Sequence, residues 1–137
     1  KLNLNIEMKF YEPNETSYTK RLVKELLNTI ETTNTRNQIL ITSFNIDALK
    51  ILRKESETIP IGILYEKLPE NWKKDKVFLN AVTIHLDYRF LTLNQLEEIN
   101  LSNTKAFVYT CNDPHEITQL WDAGLSGVIT DDPLKFI

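Results

Sequence analysis

The sequence predicts an α/β protein in which about six parallel strands alternate with helices. Strand-like and helix-like segments alternate along all 137 residues, and this order implies parallel strands joined by crossover helices. The segment 38–44, QILITSF, is a continuous apolar run, typical of a strand that is buried on both faces. The sequence alone leaves open an open sheet or part of a closed barrel, and the two-faced first strand favours a barrel with an interior site.

The first strand, over residues 2–9, has one apolar and one polar face. Side chains alternate between the two faces of a strand. The apolar positions are Leu2, Leu4, Ile6 and Met8, and the polar positions are Asn3, Asn5, Glu7 and Lys9. This pattern predicts a strand that packs under helices on one side and faces a polar cavity on the other.

The later elements follow in regular order. A turn at 11–16 precedes a helix whose apolar positions run from Leu22 to Ile30. The polar segment 67–76 is predicted to be a loop that leads into a short helix, with Trp72 as its apolar anchor. Further strands are predicted at 38–44, 59–65, 81–87, 105–111 and 127–131.

Helix starts are marked by capping residues. Asn45 is predicted to cap the helix after the second strand. Thr92 and Gln95 form a capping-box pattern. Asp113 followed by Pro114 is a strong start signal for the last helix. These signals support the alternation of helices with strands.

Length and composition predict one domain over residues 1–137 and exclude several classes of partner. The chain is long enough to bury a core, and its net charge of −3 gives no general attraction to nucleic acid or to an anionic membrane. No apolar run approaches the roughly 20 residues of a membrane span. The single cysteine, Cys111, cannot form an internal disulfide, so we expect a reducing, cytoplasmic setting. Cys111 itself is expected to be buried.

Several motifs, in order and spacing, resemble the glycerophosphodiester phosphodiesterase family, and the bacterial cytoplasmic form most of all. They cover nearly the whole chain and read NIEMK, ITSFNIDAL, IPIGILYE, TIHLDYRFLT, VYTCNDPHE and AGLSGVITDDP. The resemblance implies a (β/α)8 TIM-type barrel. It also implies hydrolysis of glycerophosphodiesters to sn-glycerol 3-phosphate and an alcohol, with Mg²⁺ or Ca²⁺ held by carboxylates.

The sequence departs from this family at its start. The family's His-Arg-Gly strand, its Glu-Asn segment, its acidic strand and its His-Asp pair have no counterpart here. A complete barrel of this type has about 250 residues, and this chain begins with Lys1 rather than Met. We therefore expect the C-terminal part of a barrel, catalytically incomplete alone, whose missing half is a separate chain, was cleaved off, or is absent from the gene.

The resemblance assigns roles to two residues of the first strand. Glu7 matches a metal ligand, and its carboxylate oxygens suit Mg²⁺ or Ca²⁺. Lys9 matches the catalytic lysine beside the phosphate, where an ammonium group can pair with a phosphoryl oxygen. The alternative is that the two residues form a surface ion pair with each other.

Three further residues are expected to bind substrate. Phe44 and Tyr109 match family positions that line the glycerol side, although core packing is the commoner role of an aromatic residue. His85 could line the same pocket, and the alternative is a structural histidine. His115 is expected to be solvated.

Three functions are compatible with the sequence. The chain could be part of an enzyme that hydrolyses glycerophosphodiesters, a non-catalytic partial barrel that acts as an interaction or assembly module, or part of a related phosphodiesterase for another lipid head group. Partial barrels expose strand edges, so we also expect self-association.

Overall fold

The computed structural model describes residues 3–10 and 16–137. It confirms the α/β class, with six strands that each run parallel to a neighbour. The strands are β1 (Leu4–Glu7), β2 (Ile39–Ser43), β3 (Ile61–Tyr65), β4 (Thr83–Asp87), β5 (Lys105–Tyr109) and β6 (Gly127–Val128). The helices are α1 (Thr16–Thr32), α2 (Ile46–Glu55), α3 (Trp72–Leu79), α4 (Leu93–Leu101) and α5 (Thr118–Asp122). Short 3-10 helices cover Arg36–Gln38, Pro114–Ile117 and Pro133–Phe136.

The chain forms two compact units. The first comprises Lys1–Ile63 and Asp75–Ala81, and the second comprises Leu64–Lys74 and Val82–Ile137. A single domain over residues 1–137 stays a prediction. None of the helices in the described part of the chain is long and apolar enough to cross a membrane. The predicted strand position Leu2 and most of the predicted turn at 11–16 lie outside the described residues.

In the first unit, β2 pairs with β1 and with β3. Glu7 is aligned with Thr42, and Thr42 is aligned with Gly62. The opposite face of these strands packs into the core with α1 and α2, as their apolar periodicity predicts. The fully buried residues of this core include Val23, Ile30, Ile41, Leu49, Leu52 and Ile61. Leu4, on the predicted apolar face, remains half exposed because it lies at the start of a strand that, among the described residues, pairs with β2 alone.

Arg53 ties together the loops of the first unit. Its guanidinium donates hydrogen bonds to the carbonyl oxygens of Leu79 (2.7 Å), Ser56 (3.0 Å), Glu57 (2.6 Å) and Ile59 (2.8 Å). Burial lowers the pKa of Arg53 from its ordinary value. The planar fork of the guanidinium can satisfy several carbonyl groups at once, so this side chain fixes the entry to β3.

In the second unit, β5 pairs with β4 and with β6. His85 is aligned with Phe107, and Phe107 with Gly127. Residues aligned across parallel strands project to the same face, so these three positions form one layer. The opposite face is apolar and buried, with Ile84, Leu86, Ala106 and Val108.

The predicted strands are shorter in the structure by one or two residues at one or both ends, and the last strand and last helix differ further. The last strand ends at Val128 instead of residue 131, because the Asn112 side-chain oxygen accepts hydrogen bonds from the Asp131 N–H (2.8 Å) and the Thr130 hydroxyl (2.8 Å) and so turns the chain. The helix after Asp113 begins as a 3-10 turn before α5. The capping residues themselves are confirmed at Asn45, at Thr92 with Gln95, and at Asp113.

Candidate functional site

A cleft of about 470 Å³ lies at the carboxyl ends of β1 and β2 in the first unit. Its walls are Glu7, Met8, Lys9, Phe10, Ser43, Phe44 and Asn45. Active sites of parallel α/β folds lie at this end of the strands. Three of the residues predicted from the sequence, Glu7, Lys9 and Phe44, thus line one cleft.

Glu7 and Lys9 form an ion pair at the mouth of this cleft. The Lys9 Nζ lies 3.6 Å from the Glu7 Oε2, and the side chains are 58% and 29% exposed respectively. Because the two residues are two positions apart at the end of a strand, their side chains share a face. An exposed pair of this kind is weak, so either group can exchange its partner for a ligand at little cost.

Phe44 supplies an exposed aromatic surface. It directly follows β2, and half of its surface is accessible. The residue before it, Ser43, is fully buried and points to the opposite side. A large exposed aromatic ring beside two charged groups can cover the carbon chain of a small polar ligand.

His85 lies in the second unit and is buried. It is 1% exposed, and its ring stacks on Phe107 with the ring centres 5.1 Å apart. Its Nε2 is 2.9 Å from the Thr83 Oγ1, whereas its buried Nδ1 has no hydrogen-bond partner among the described residues. Burial lowers the pKa of His85 from 6.5 to about 4, so the ring is neutral at physiological pH.

Tyr109 ends β5 and is partly buried. Its hydroxyl donates a hydrogen bond of 2.9 Å to the carbonyl oxygen of Tyr65. This bond joins the ends of two strands within the second unit and fixes the ring. The substrate-binding roles of Tyr109 and His85 stay predictions.

Asp87 is a buried carboxylate that the sequence reasoning did not select. It is the last residue of β4, is aligned with Tyr109, and is 5% exposed. Arg89 donates to Asp87 from its Nε at 2.9 Å, and this hydrogen bond holds the pKa of the carboxyl below its ordinary value. Side-chain alternation in β4, which reads Thr-Ile-His-Leu-Asp, puts Asp87 on the same face as His85. This alternation is the sequence signal that could have identified Asp87.

The two remaining titratable residues of interest match their expected environments. Cys111 is fully buried, and this burial raises the pKa of its thiol. His115 is exposed, in the 3-10 turn before α5.

The described residues do not complete the metal site that the family resemblance implies. Among residues 3–10 and 16–137 there is no group of three or more His, Cys, Asp or Glu side chains that could hold a metal ion. Mg²⁺ and Ca²⁺ take about six to eight oxygen ligands. Glu7 can supply one carboxylate, and Asp87 is already engaged by Arg89. The residues that the structure describes therefore offer at most part of such a site.

Comparison with known proteins identifies relatives of about twice this length. The model of the glycerophosphoryl diester phosphodiesterase family matches residues 1–135. A glycerophosphodiester phosphodiesterase of Caldanaerobacter subterraneus subsp. tengcongensis is 28% identical over 115 residues, which cover 83% of this chain and 47% of that protein. The chain thus spans about half the length of this curated relative.

Solved structures show the same fold over nearly the whole chain. A candidate glycerophosphoryl diester phosphodiesterase from Silicibacter pomeroyi aligns with a TM-score of 0.85 at 18% identity, over 97% of this chain and 48% of that one. An Oleispira antarctica phosphodiesterase, solved in complex with the product sn-glycerol-3-phosphate, aligns with a TM-score of 0.83 at 22% identity, over 97% of this chain and 53% of that one. The fold corresponds to about half of such a barrel, as predicted. The chain therefore belongs to the glycerophosphoryl diester phosphodiesterase family.

Proposed function

We propose that this chain provides the phosphate-binding half of a glycerophosphodiester phosphodiesterase. The complete enzyme would hydrolyse a glycerophosphodiester to sn-glycerol 3-phosphate and an alcohol. The observation that carries the proposal is the exposed Glu7–Lys9 pair at the mouth of the β1–β2 cleft, in a chain of this family.

Lys9 is the proposed phosphate ligand and catalytic residue. Its side chain is more than half exposed, and its ammonium group faces a partner that holds it weakly. A phosphodiester oxygen that enters the cleft would offer Lys9 a second anionic partner. An ammonium group that pairs with the phosphoryl oxygens also stabilises the negative charge that develops on them during hydrolysis.

Glu7 is the proposed contribution of this chain to a metal site. A carboxylate at the carboxyl end of a strand can bind Mg²⁺ or Ca²⁺, and the remaining ligands would come from outside the described residues. When bound, such an ion would offset the charge of the phosphate. Because Glu7 also pairs with Lys9, loss of Glu7 would leave Lys9 without this carboxylate partner.

Phe44 is the proposed contact for the carbon backbone of glycerol. Its ring is half exposed and lines the same cleft as Lys9. Aromatic surfaces commonly cover apolar parts of small ligands, while a few charged groups set the orientation. Tyr109 and His85 remain proposed substrate-binding residues of the complete enzyme.

Product binding tests this proposal directly. The wild-type chain is titrated with sn-glycerol 3-phosphate by calorimetry, alongside Lys9→Met and the matched variant Lys24→Met, which removes an exposed lysine from α1. We expect Lys9→Met to weaken binding by about tenfold or more and Lys24→Met to leave it unchanged. Absence of binding to wild type, or equal affinities in all three proteins, would contradict the proposal.

Turnover provides the second measurement. Purified chain is incubated with glycerophosphocholine and Mg²⁺ or Ca²⁺, and release of sn-glycerol 3-phosphate is compared with that of Glu7→Ala. We expect no turnover from the chain alone, because the described residues do not complete a metal site. Turnover that is lost in Glu7→Ala would show that the chain is catalytically sufficient.

A second candidate function is a non-catalytic assembly module. The observation that favours it is β1, which pairs with β2 alone among the described strands and leaves Leu4 half exposed. An unpaired strand edge can pair with another chain. We therefore expect the chain to self-associate, and monomeric elution in size-exclusion chromatography with a cooperative melt would count against this.

A further inference from the structure

We propose that Ser43 is the positioning residue of the β1–β2 cleft, because its hydroxyl fixes the peptide groups next to both Lys9 and Phe44. This inference rests on the proposed function of the cleft and adds a residue to it. Ser43 ends β2 and is fully buried. Its side chain projects to the face opposite that of Thr42, and Ser43 is one of the residues that line the cleft.

The Ser43 hydroxyl joins the two strand ends by two hydrogen bonds. Its Oγ lies 2.7 Å from the carbonyl oxygen of Met8. The same Oγ lies 3.0 Å from the backbone nitrogen of Asn45. A carbonyl can only accept and an N–H can only donate, so the hydroxyl must donate to Met8 and accept from Asn45. Its single proton is therefore committed to Met8.

Each bond orients one peptide group beside a predicted site residue. The Met8 carbonyl belongs to the peptide plane that continues into the nitrogen of Lys9, and the Asn45 N–H belongs to the plane that begins at the carbonyl of Phe44. Because peptide units are planar and rigid, fixing one atom of the plane restrains the neighbouring Cα atom. One hydroxyl thus restrains the backbone of both Lys9 and Phe44.

Neighbouring contacts make Ser43 a link between two anchors. Met8 is buried, and its N–H donates to the Thr42 carbonyl at 2.8 Å. On the other side, the Asn45 side chain caps α2 by accepting from the Ala48 N–H at 3.0 Å. Ser43 connects the strand anchor to the helix cap, and the cleft lies between them.

The proposed role of Ser43 can be tested without any ligand by measuring backbone order. Nitrogen-15 relaxation is recorded for the wild-type chain, for Ser43→Ala, and for Thr104→Val. Thr104 is a matched control because its buried hydroxyl is hydrogen-bonded to the Ser102 hydroxyl at 2.9 Å, outside the cleft. In Ser43→Ala we expect the order parameters of Lys9 and Phe44 to fall from about 0.85 toward 0.6 or lower, with no such change in Thr104→Val.

Product affinity provides a second measurement and a rescue. Ser43→Ala should weaken binding of sn-glycerol 3-phosphate by about tenfold, Thr104→Val should change it by less than about twofold, and Ser43→Thr, which keeps the hydroxyl, should restore it. Far-ultraviolet circular dichroism and a thermal melt verify that each variant is folded. The order parameters also identify the variants whose local backbone is disturbed.

The outcomes separate this inference from the proposed function. If wild type binds no product, the proposed function of the cleft fails, and the order parameters alone decide the role of Ser43. Unchanged order of Lys9 and Phe44 in folded Ser43→Ala would overturn the inference. Equal losses of affinity in Ser43→Ala and Thr104→Val, or a Ser43→Thr variant as weak as Ser43→Ala, would also overturn it.

Discussion

The charged pair Glu7 and Lys9 of the first unit and His85 of the second unit have opposite environments. In the first unit, Glu7 and Lys9 lie at the end of β1 in an open cleft, and both are partly exposed. In the second unit, His85 lies within β4 and is almost completely buried. All three residues occupy positions that strand alternation assigns to a polar or mixed face.

The positions of Glu7 and His85 on their strands, and the side chains that cover them, account for the difference. Glu7 is the last residue of β1, which pairs with β2 alone among the described strands. Its side chain therefore stays partly exposed, although the aligned Thr42 is fully buried. His85 is aligned with Phe107, and the aromatic ring covers the imidazole. Alternation therefore decides which face a residue occupies, whereas its place along the strand and the side chains that cover it decide whether it is exposed to solvent.

The largest expected effect that tests this comparison is the pH dependence caused by His85. Its pKa is about 4 in the folded chain and 6.5 as its ordinary value, so the unfolded chain binds more protons between these values. The free energy of unfolding should therefore fall as the pH drops from 6.5 toward 4, by about 2–3 kcal/mol. Urea unfolding at pH 7 and at pH 4.5 measures this loss.

His85→Gln is the control for that measurement. It removes the titrating group, so its stability should fall less over the same pH interval than that of the wild type. The depressed pKa of Asp87 lowers stability mainly as the pH falls through the ordinary carboxyl value of 3.8, so it adds little to the loss between pH 7 and 4.5. If the wild type and His85→Gln lost equal stability between pH 7 and 4.5, the description of His85 as buried and neutral would be wrong.

A smaller loss of stability is expected when a side chain is added to the layer formed by His85, Phe107 and Gly127. A Cβ atom at Gly127 would lie 2.4 Å from the Phe107 Cε1, which is inside van der Waals contact. Gly127→Ala should lower the free energy of unfolding by about 1–3 kcal/mol, as measured by urea denaturation. The double variant with Phe107→Leu should lose less than the sum of the single losses, and additive losses would argue against this contact.

The hydrogen bond between Thr83 and His85 should contribute still less to the free energy of unfolding. Thr83→Val keeps the shape of the side chain but removes the partner 2.9 Å from the His85 Nε2. We expect a loss of about 1 kcal/mol, because a buried ring nitrogen is left without its partner. The midpoint of urea unfolding at pH 7 measures it, and an unchanged midpoint would indicate that the bond adds nothing to stability.

The smallest effect is expected in the exposed cleft. Glu7→Gln removes the charge that pairs with Lys9 at 3.6 Å, and we expect the free energy of unfolding to change by less than about 0.5 kcal/mol. The same denaturation assay, repeated at high salt, checks this. A loss comparable to that of Gly127→Ala would show that the cleft and the buried layer do not differ as described.

Local sequence signals predicted the elements and part of the site. Asn45 and Thr92 marked helix starts because their side chains satisfy nearby N–H groups, an interaction within a few residues. The spacing of Glu7 and Lys9 predicted a shared face because side chains two residues apart on a strand project to the same side. The motifs of nearly the whole chain predicted the family, which the comparison with known proteins confirmed.

Contacts between distant segments were not predictable in this way. The length of the last strand depended on Asn112, which bonds Thr130 and Asp131 from another loop. The pairing of Asp87 with Arg89 was close in sequence, but its burial depended on packing within the second unit. Both features depend on residues that lie far apart along the chain but meet in the folded structure, and local sequence patterns do not report such meetings.

The sequence by itself determined the α/β class, the order of the elements, the family and the faces of the strands, because these follow from local propensity and side-chain alternation. The tertiary structure alone decided that Lys9 is exposed, that His85 is buried and neutral, and that Ser43 links two strand ends. Burial and hydrogen bonding depend on which side chains meet across neighbouring strands, and strand register becomes defined only when the chain packs.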